Sequence, residues 1–360
     1  MIRTIAFYLP QFHPIPENDE WYGKGFTEWT NVAKAKPLFP GHYQPHIPAD
    51  LGFYDLRLEE TRRAQSEMAL KYGLSAFCYW HYWFGNGKQL LEMPIWKMHE
   101  DSSIKIPFCI GWANAVWKNK LWDSKGNNTI LMEQKYLGEE DYTKFFYCIL
   151  PLLKDKRYYK VDGKLLFIIH QPLDCNDEQM VCFLNTWRKL AKKEDIGDFY
   201  FVGEDSFCRA KDRILSMGFD AIFDNNVGGV HHDLSLIRKC MLFIQRNILH
   251  YPTIFPYKEA ARHMVNANCR DERVYPVVAP NWDHSPRTGR KAILYHNCEP
   301  KYFYQLLKRT IDLISSKNEE HKIIFIKSWN EWGEGNYMEP DSKYGLGYLN
   351  ALHKAVEETK

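Results

Sequence analysis

No paired-cysteine motif, no glycine-rich phosphate loop and no long apolar run occurs in these 360 residues, and each absence removes a class of protein. The nine cysteines are scattered singly, Cys175 and Cys182 being the closest pair, so neither a zinc clip nor a thioredoxin-like motif can be drawn. An odd, dispersed set reads as reduced thiols. GxGxxG and GxxxxGK[ST] are missing, and the first strand-like run is followed by PQFHPIP, which cannot cradle a pyrophosphate. DxD and HExxH are missing too, and Pro45 between His42 and His46 spoils a metal-binding helix there, so no metal and no cofactor is expected. His231 and His232, in a polar loop, are read as solvated.

No segment approaches the roughly 18 uninterrupted apolar residues of a membrane span. The opening MIRTIAFYLPQFHP lacks the apolar stretch of a secretory leader, which gives a cytoplasmic location as the expectation. Lys and Arg total 47 against 45 Asp and Glu, and a net charge of +2 supplies no field to gather nucleic acid.

Aromatics, in contrast, are abundant: 15% of the chain, with 12 Trp and 22 Tyr, more rings than a core alone accommodates. Short apolar runs recur at residues 4–9, 75–80, 107–112, 165–170, 199–203, 221–224, 275–280 and 323–328. Helical periodicity follows each, over 56–73, 88–100, 140–155, 177–194, 210–218, 258–269, 299–317 and 345–359. Eight alternating strand and helix units predict an α/β fold, a single (β/α)8 TIM barrel domain spanning residues 1–360. Three long excursions, 10–54, 113–140 and 225–257, follow strands and are expected to form a cleft at the C-terminal face.

Residues at and just past each strand converge on that face. Strand one brings Tyr8, Gln11 and His13; strand two brings Tyr79, Trp80, His81 and Trp83; strand three brings Trp112 and Asn114. His170 and Glu204 end strands four and five, Asn281 and Trp282 follow strand seven, and Trp329, Asn330 and Trp332 follow strand eight. Indole and phenol faces stack on the C–H side of a sugar ring, while amides, carboxylates and imidazoles bind its hydroxyls, so these are candidate saccharide-binding residues. The stretch SWNEWGEGNYMEP crowds Glu331, Glu334 and Glu339 beside two indoles. On a helical turn, Glu331 and Glu334 fall on one side, about 5 to 6 Å apart at Cβ. That is near the separation of about 5 to 5.5 Å in retaining glycosidases. Like charges so close leave one acid and one carboxylate near neutral pH, the division that glycosidic chemistry needs. Glu339 is read as a supporting or surface group.

The opening IAFYLPQFHPIPENDEWYGKGFTEWTNVAKAKPLFPGHYQPHIPADLGFYDLR, then GLSAFCYWHYWFGNGKQLLE, PFCIGWAN and SWNEWGEGNYMEPD, resembles the WbsX-type proteins over nearly the whole chain. That family is described as glycosyltransferases of O-antigen and capsule biosynthesis and is related to the endo-α-mannosidases of glycoside hydrolase family 99, which are (β/α)8 barrels. The resemblance implies a retaining, metal-independent route in which Glu331 acts as base on the sugar 2-hydroxyl and Glu334 as acid/base at the leaving oxygen, through an anhydro-sugar. Gly333 stands where the hydrolases carry a bulkier side chain. The implied substrate is a bacterial surface oligosaccharide or polysaccharide, free or lipid-linked. A sugar-nucleotide-dependent lipopolysaccharide glycosyltransferase and a non-catalytic carbohydrate-binding protein are the alternative readings.

Overall fold

In the computed structural model, which describes residues 1–118, 129–231 and 234–359, eight strands close into one parallel barrel. They are β1 Arg3–Tyr8, β2 Ala76–Trp83, β3 Phe108–Trp112, β4 Lys164–Ile169, β5 Phe199–Asp205, β6 Ala221–Asp224, β7 Val274–Val278 and β8 Ile323–Ile326. Each pairs with its chain neighbour, and β8 returns to β1 through Arg3 opposite Ile323, which closes the cylinder. Eight helices follow the strands: α1 Glu59–Lys71, α2 Met93–Glu100, α3 Glu139–Leu153, α4 Asp177–Lys193, α5 Lys211–Ser216, α6 Tyr257–His263, α7 Pro300–Ile314 and α8 Gly347–Glu357. The strands are apolar on both faces because one face fills the lumen and the other meets the helices.

Aromatic rings fill the upper lumen. Phe7 stacks on Trp80 at 4.7 Å and on Phe325 at 5.5 Å, with Phe223 tilted against it at 5.4 Å. Gly111 in β3 makes room for this layer, since a Cβ there would stand 2.8 Å from Trp80 Cζ3.

The boundaries differ from expectation where tertiary pairing intervenes. β2 runs three residues further, to Trp83, because Tyr82 and Trp83 pair with Leu90 and Gln89 in a hairpin. The helix expected from residue 88 therefore starts at Met93, with Pro94 in its first turn. The helix expected over 258–269 stops at His263 and gives way to a 3₁₀ turn, Ala267–Arg270. The first excursion folds into two short helices, Pro16–Tyr22 and Glu28–Lys34, and the third carries a helix, Leu236–Asn247, that was not among those expected. The second excursion is described for 113–118 and 129–140, and His232 lies outside the described residues. His231 is half-buried, with its ring edge-on to Phe255 at 4.6 Å, and is not the solvated residue expected.

Asn330 locks the end of the barrel. Its Oδ1 accepts from Leu9 N at 2.8 Å and its Nδ2 donates to Leu9 O at 3.0 Å, joining the chain after β8 to the chain after β1. Asn330→Ala would leave both Leu9 groups buried and unpaired, at a cost of about 2 to 4 kcal/mol. A fall in the urea midpoint with unchanged slope is expected, and an unchanged midpoint would contradict this role.

Candidate active site

A cavity of about 300 Å³ opens at the C-terminal ends of the strands, floored by Phe7, Trp80 and Phe223. All three long excursions contribute to its wall: Gln11, Tyr22, Phe26 and Glu28 from the first, Ala113 to Lys118 in part from the second, and Asn225 from the third. Glu331 and Glu334 project into it from the segment after β8, with Lys327 below them.

One guanidinium organises the acids. Arg287 sits on a short helix, Ser285–Thr288, in the loop after β7. Its Nη1 donates to Glu334 Oε1 at 2.5 Å and to Glu331 Oε1 at 3.3 Å, while Nε donates to Glu28 Oε2 at 3.2 Å. His284 Nε2 stands 3.4 Å from Glu334 Oε1, and Ser328 Oγ donates to Glu331 Oε2 at 3.2 Å. Across the cavity, His170 Nδ1 pairs with Glu204 Oε2, and Asn225 Nδ2 donates to Glu204 Oε1 at 2.7 Å. Lys327 Nζ lies 5.2 Å above the Trp282 ring.

The two central carboxyls are held unequally. Burial and the nearby charge of Glu334 push the Glu331 carboxyl above its usual range, with Arg287 and Lys327 pulling the other way. Burial opposes ionisation of Glu334 as well, but Arg287, His284 and Lys327 outweigh it and hold that carboxyl well below the usual range. Lys327 resists the cost of burial because Glu334, Glu331 and Glu204 raise its pKa. Glu204, despite burial, is lowered by His170 and Lys327.

Backbone detail sets this geometry. A Cβ on Gly333 would overlap the Glu28 carboxylate and come 3.0 Å from Arg287 Nε, so glycine lets Glu28 approach between the two acids. Gly335 takes a left-handed φ of 53°, and a Cβ there would meet Asp283 Cβ at 2.7 Å. Asp283 N in turn donates to Glu334 O at 2.8 Å, tying the β7 and β8 loops together.

Of the residues expected to bind saccharide, the structure brings Gln11, Trp80, His170 and Glu204 into the cavity with Glu331 and Glu334. Strand parity removes others. Because β2 continues to Trp83, Trp80 and Tyr82 face inward, whereas His81 and Trp83 face outward and stack on Phe145 at 5.5 and 4.8 Å. Tyr79 lies against Tyr8 at 4.4 Å, and the Tyr8 hydroxyl donates to Gln65 at 2.6 Å. Trp112 packs on Phe183 at 4.9 Å, and Trp329 packs on Phe77 at 5.0 Å. His13 is buried and does not line the cavity, and burial pushes its pKa down to about 4, as it does that of His81.

Asn114 bridges the loops after β3 and β4, donating to Gln171 O at 2.7 Å and accepting from Gln171 N at 2.8 Å. Asn281 accepts from Tyr337 N at 2.8 Å, and Asn281 and Trp282 border a smaller cleft of about 40 Å³. Trp332 stacks on Tyr337 at 3.7 Å. These positions support the site without lining it. Glu28, Arg287 and Lys327 were missed. Lys327 could have been found by strand parity, but Glu28 and Arg287 stand in the long connections after β1 and β7, remote in sequence.

The Glycosyltransferase WbsX family model matches residues 4–352, and the chain belongs to that carbohydrate-active family. Two relatives are the uncharacterized WxcX proteins of Xanthomonas campestris pv. campestris. The strain B100 protein is 37% identical over 356 residues and the strain ATCC 33913 protein 38% over 355, in each case covering 98% of this chain and 49% of the relative. The chain thus spans about half the length of the relatives it matches. Among solved structures, a glycoside hydrolase-like protein superposes with a TM-score of 0.63 at 16% identity, over 98% of this chain and 93% of that one. The family 99 endo-α-mannosidase of Bacteroides thetaiotaomicron gives 0.55 at 16%, over 99% and 97%. Both share the barrel fold.

Glu339 lies behind the site and is fully enclosed. It accepts from Gln65 Nε2 at 2.6 Å, Trp332 Nε1 at 2.7 Å and Tyr54 OH at 2.9 Å. Burial lifts its pKa from 4.5 to about 7, with those three donors pulling it down. A carboxyl raised in the native state binds its proton more tightly there than in the unfolded chain, so its stabilising effect is present below about 4.5 and is lost as pH rises through about 7. Glu339→Gln should remove that loss. Melting temperatures of wild type and variant are expected to converge or cross between these pH values, and parallel curves would contradict the assignment.

Proposed function

We propose that this chain, as one catalytic domain, makes or breaks glycosidic bonds of a bacterial surface polysaccharide or its free or lipid-linked precursor, with Glu331 and Glu334 as the catalytic pair and net retention at the anomeric carbon. The observation that carries this reading is that both Oε1 atoms lie within 3.3 Å of one guanidinium nitrogen, in a cavity with an aromatic floor. That holds the two Oε1 atoms closer together than the roughly 6.5 to 9.5 Å between carboxyls that an inverting enzyme needs for its water. Nine unpaired cysteines fit a reducing compartment and a cytoplasmic site of action.

In this scheme the Glu331 carboxylate takes the proton of the sugar 2-hydroxyl as that oxygen attacks the anomeric carbon. The bond to the leaving oxygen breaks and Glu334 protonates it. An incoming water, or the hydroxyl of an acceptor sugar, then opens the anhydro-sugar as both protons return. As the side chains stand, the asymmetry runs the other way: Glu334 is the favoured carboxylate and Glu331 holds its proton more readily. Arg287 imposes that order. A saccharide reaching Glu334 must draw it off Arg287 Nη1, and loss of that partner lets Glu334 take up the proton it donates.

The family description favours transfer over hydrolysis, and water or acceptor opening of one intermediate accommodates both. A nucleotide diphosphate donor is less well supported, because Arg287 and Lys327 are already matched by Glu28, Glu204, Glu331 and Glu334. Glu331→Gln and Glu334→Gln are each expected to lower turnover of surface-polysaccharide oligosaccharides at least about 10³-fold while binding persists by calorimetry. Turnover retained in both variants would refute the pair, and micromolar binding of a nucleotide sugar would favour the donor-dependent reading.

A further inference from the structure

The helix Leu236–Asn247, in the loop between β6 and α6, exposes the wrong side chains for water. Leu236 is 80% exposed, Ile237 75%, Phe243 63% and Ile248 62%, with Ile244 and Leu249 also open. Single exposed apolar residues are ordinary on a protein surface, but a contiguous set of this size marks an interaction face. Charge along the segment is one-sided. From Leu234 to Lys258 there is no Asp or Glu, while Arg238, Lys239 and Arg246 lie within the helix.

The helix rests on the strand Thr253–Pro256. Leu242 is buried, Ser235 caps the first turn by accepting from Arg238 N at 3.3 Å, and Arg238 lies over the Phe255 ring at 5.7 Å. Behind it, Thr253–Pro256 pairs in parallel with Ile293–His296, and Arg290 Nη1 donates to His250 O at 3.3 Å. The exposed face is therefore joined to the loop that carries Arg287, on the same end of the barrel as the cavity.

We propose that Leu234 to Tyr251 is a docking element for the surface of an anionic lipid bilayer. Bulky aliphatic and phenyl groups interleaved with cations match the boundary between acyl chains and acidic headgroups. At 12 residues the helix is too short to span, and among the described residues none is long and apolar enough to do so, so it would lie in the interface. A protein partner would need its own acidic residues to meet three cations that no Asp or Glu of this segment accompanies, whereas an anionic headgroup surface presents such charges throughout. Docking would hold the cavity mouth at the membrane, where a lipid-linked saccharide is presented. That consequence rests on the proposed function, whereas the docking itself does not.

The test is co-sedimentation of the whole chain with vesicles of phosphatidylglycerol and phosphatidylethanolamine, compared with phosphatidylcholine alone. Binding to the anionic vesicles is expected, weakened by salt and about tenfold poorer on phosphatidylcholine. Ile237→Glu with Phe243→Glu should reduce partition at least about tenfold without lowering the melting temperature, since both side chains face solvent. Lys239→Glu and Arg246→Glu should each cost roughly fivefold. Wild-type protein left in the supernatant with anionic vesicles, or a double variant that pellets equally well, overturns the proposal. So does a concentration-dependent dimer, seen by light scattering and abolished by Phe243→Glu, in the absence of vesicle binding. None of these readouts depends on turnover, so failure of docking and failure of the catalytic assignment are separable.

Discussion

The Arg287 guanidinium is the contact on which the site depends. Glu28, Glu331 and Glu334 come from the loops after β1 and β8, and Arg287 from the loop after β7. Carboxylates a few ångströms apart repel by about 4 kcal/mol per pair at the effective dielectric of a protein surface, and more when water is excluded. A planar cation with several donors in fixed directions cancels that repulsion for three acids at once. It does so unevenly, gripping Glu334 more closely than Glu331, and the uneven grip separates the two pKa values.

The scaffold around this contact explains features that otherwise look wasteful. Gly333 is the gap through which Glu28 reaches the guanidinium, and Gly335 lets the chain turn against Asp283. Trp332, which stands between the two acids in sequence, faces away from the cavity and seals against Tyr337 and Glu339. The barrel wall instead lines the cavity with Phe7, Trp80, Tyr82 and Phe223. Aromatic wealth thus divides between a lumen layer that floors the cavity and an outer layer that welds strands to helices.

Much of the fold was legible in the sequence, because eight apolar runs alternating with eight amphipathic stretches admit few other topologies. The acidic pair was legible too, through its crowding after the last strand. The partners were not. Arg287 lies 44 residues before Glu331 in a loop with no motif of its own, and Glu28 is 259 residues from Arg287, so only closure of the barrel brings them together. Parity was the other source of error. His81 and Trp83 looked like strand-end ligands because β2 was expected to stop at Trp80, and three more strand residues turned them outward. The helix Leu236–Asn247 escaped notice inside a segment read only as a long excursion, and its apolar stripe, unlike those of the barrel helices, faces outward, with Leu242 alone buried.

The central claim is that one guanidinium holds two neighbouring glutamates in different protonation states. Carbon-13 titration of labelled glutamate carboxyls, assigned through Glu331→Gln and Glu334→Gln, reads this directly. The account predicts that Glu334 titrates below and Glu331 above the ordinary carboxylate range, and that Arg287→Gln moves Glu334 upward. Two glutamates titrating together near 4.5, or unmoved by loss of Arg287, would contradict it.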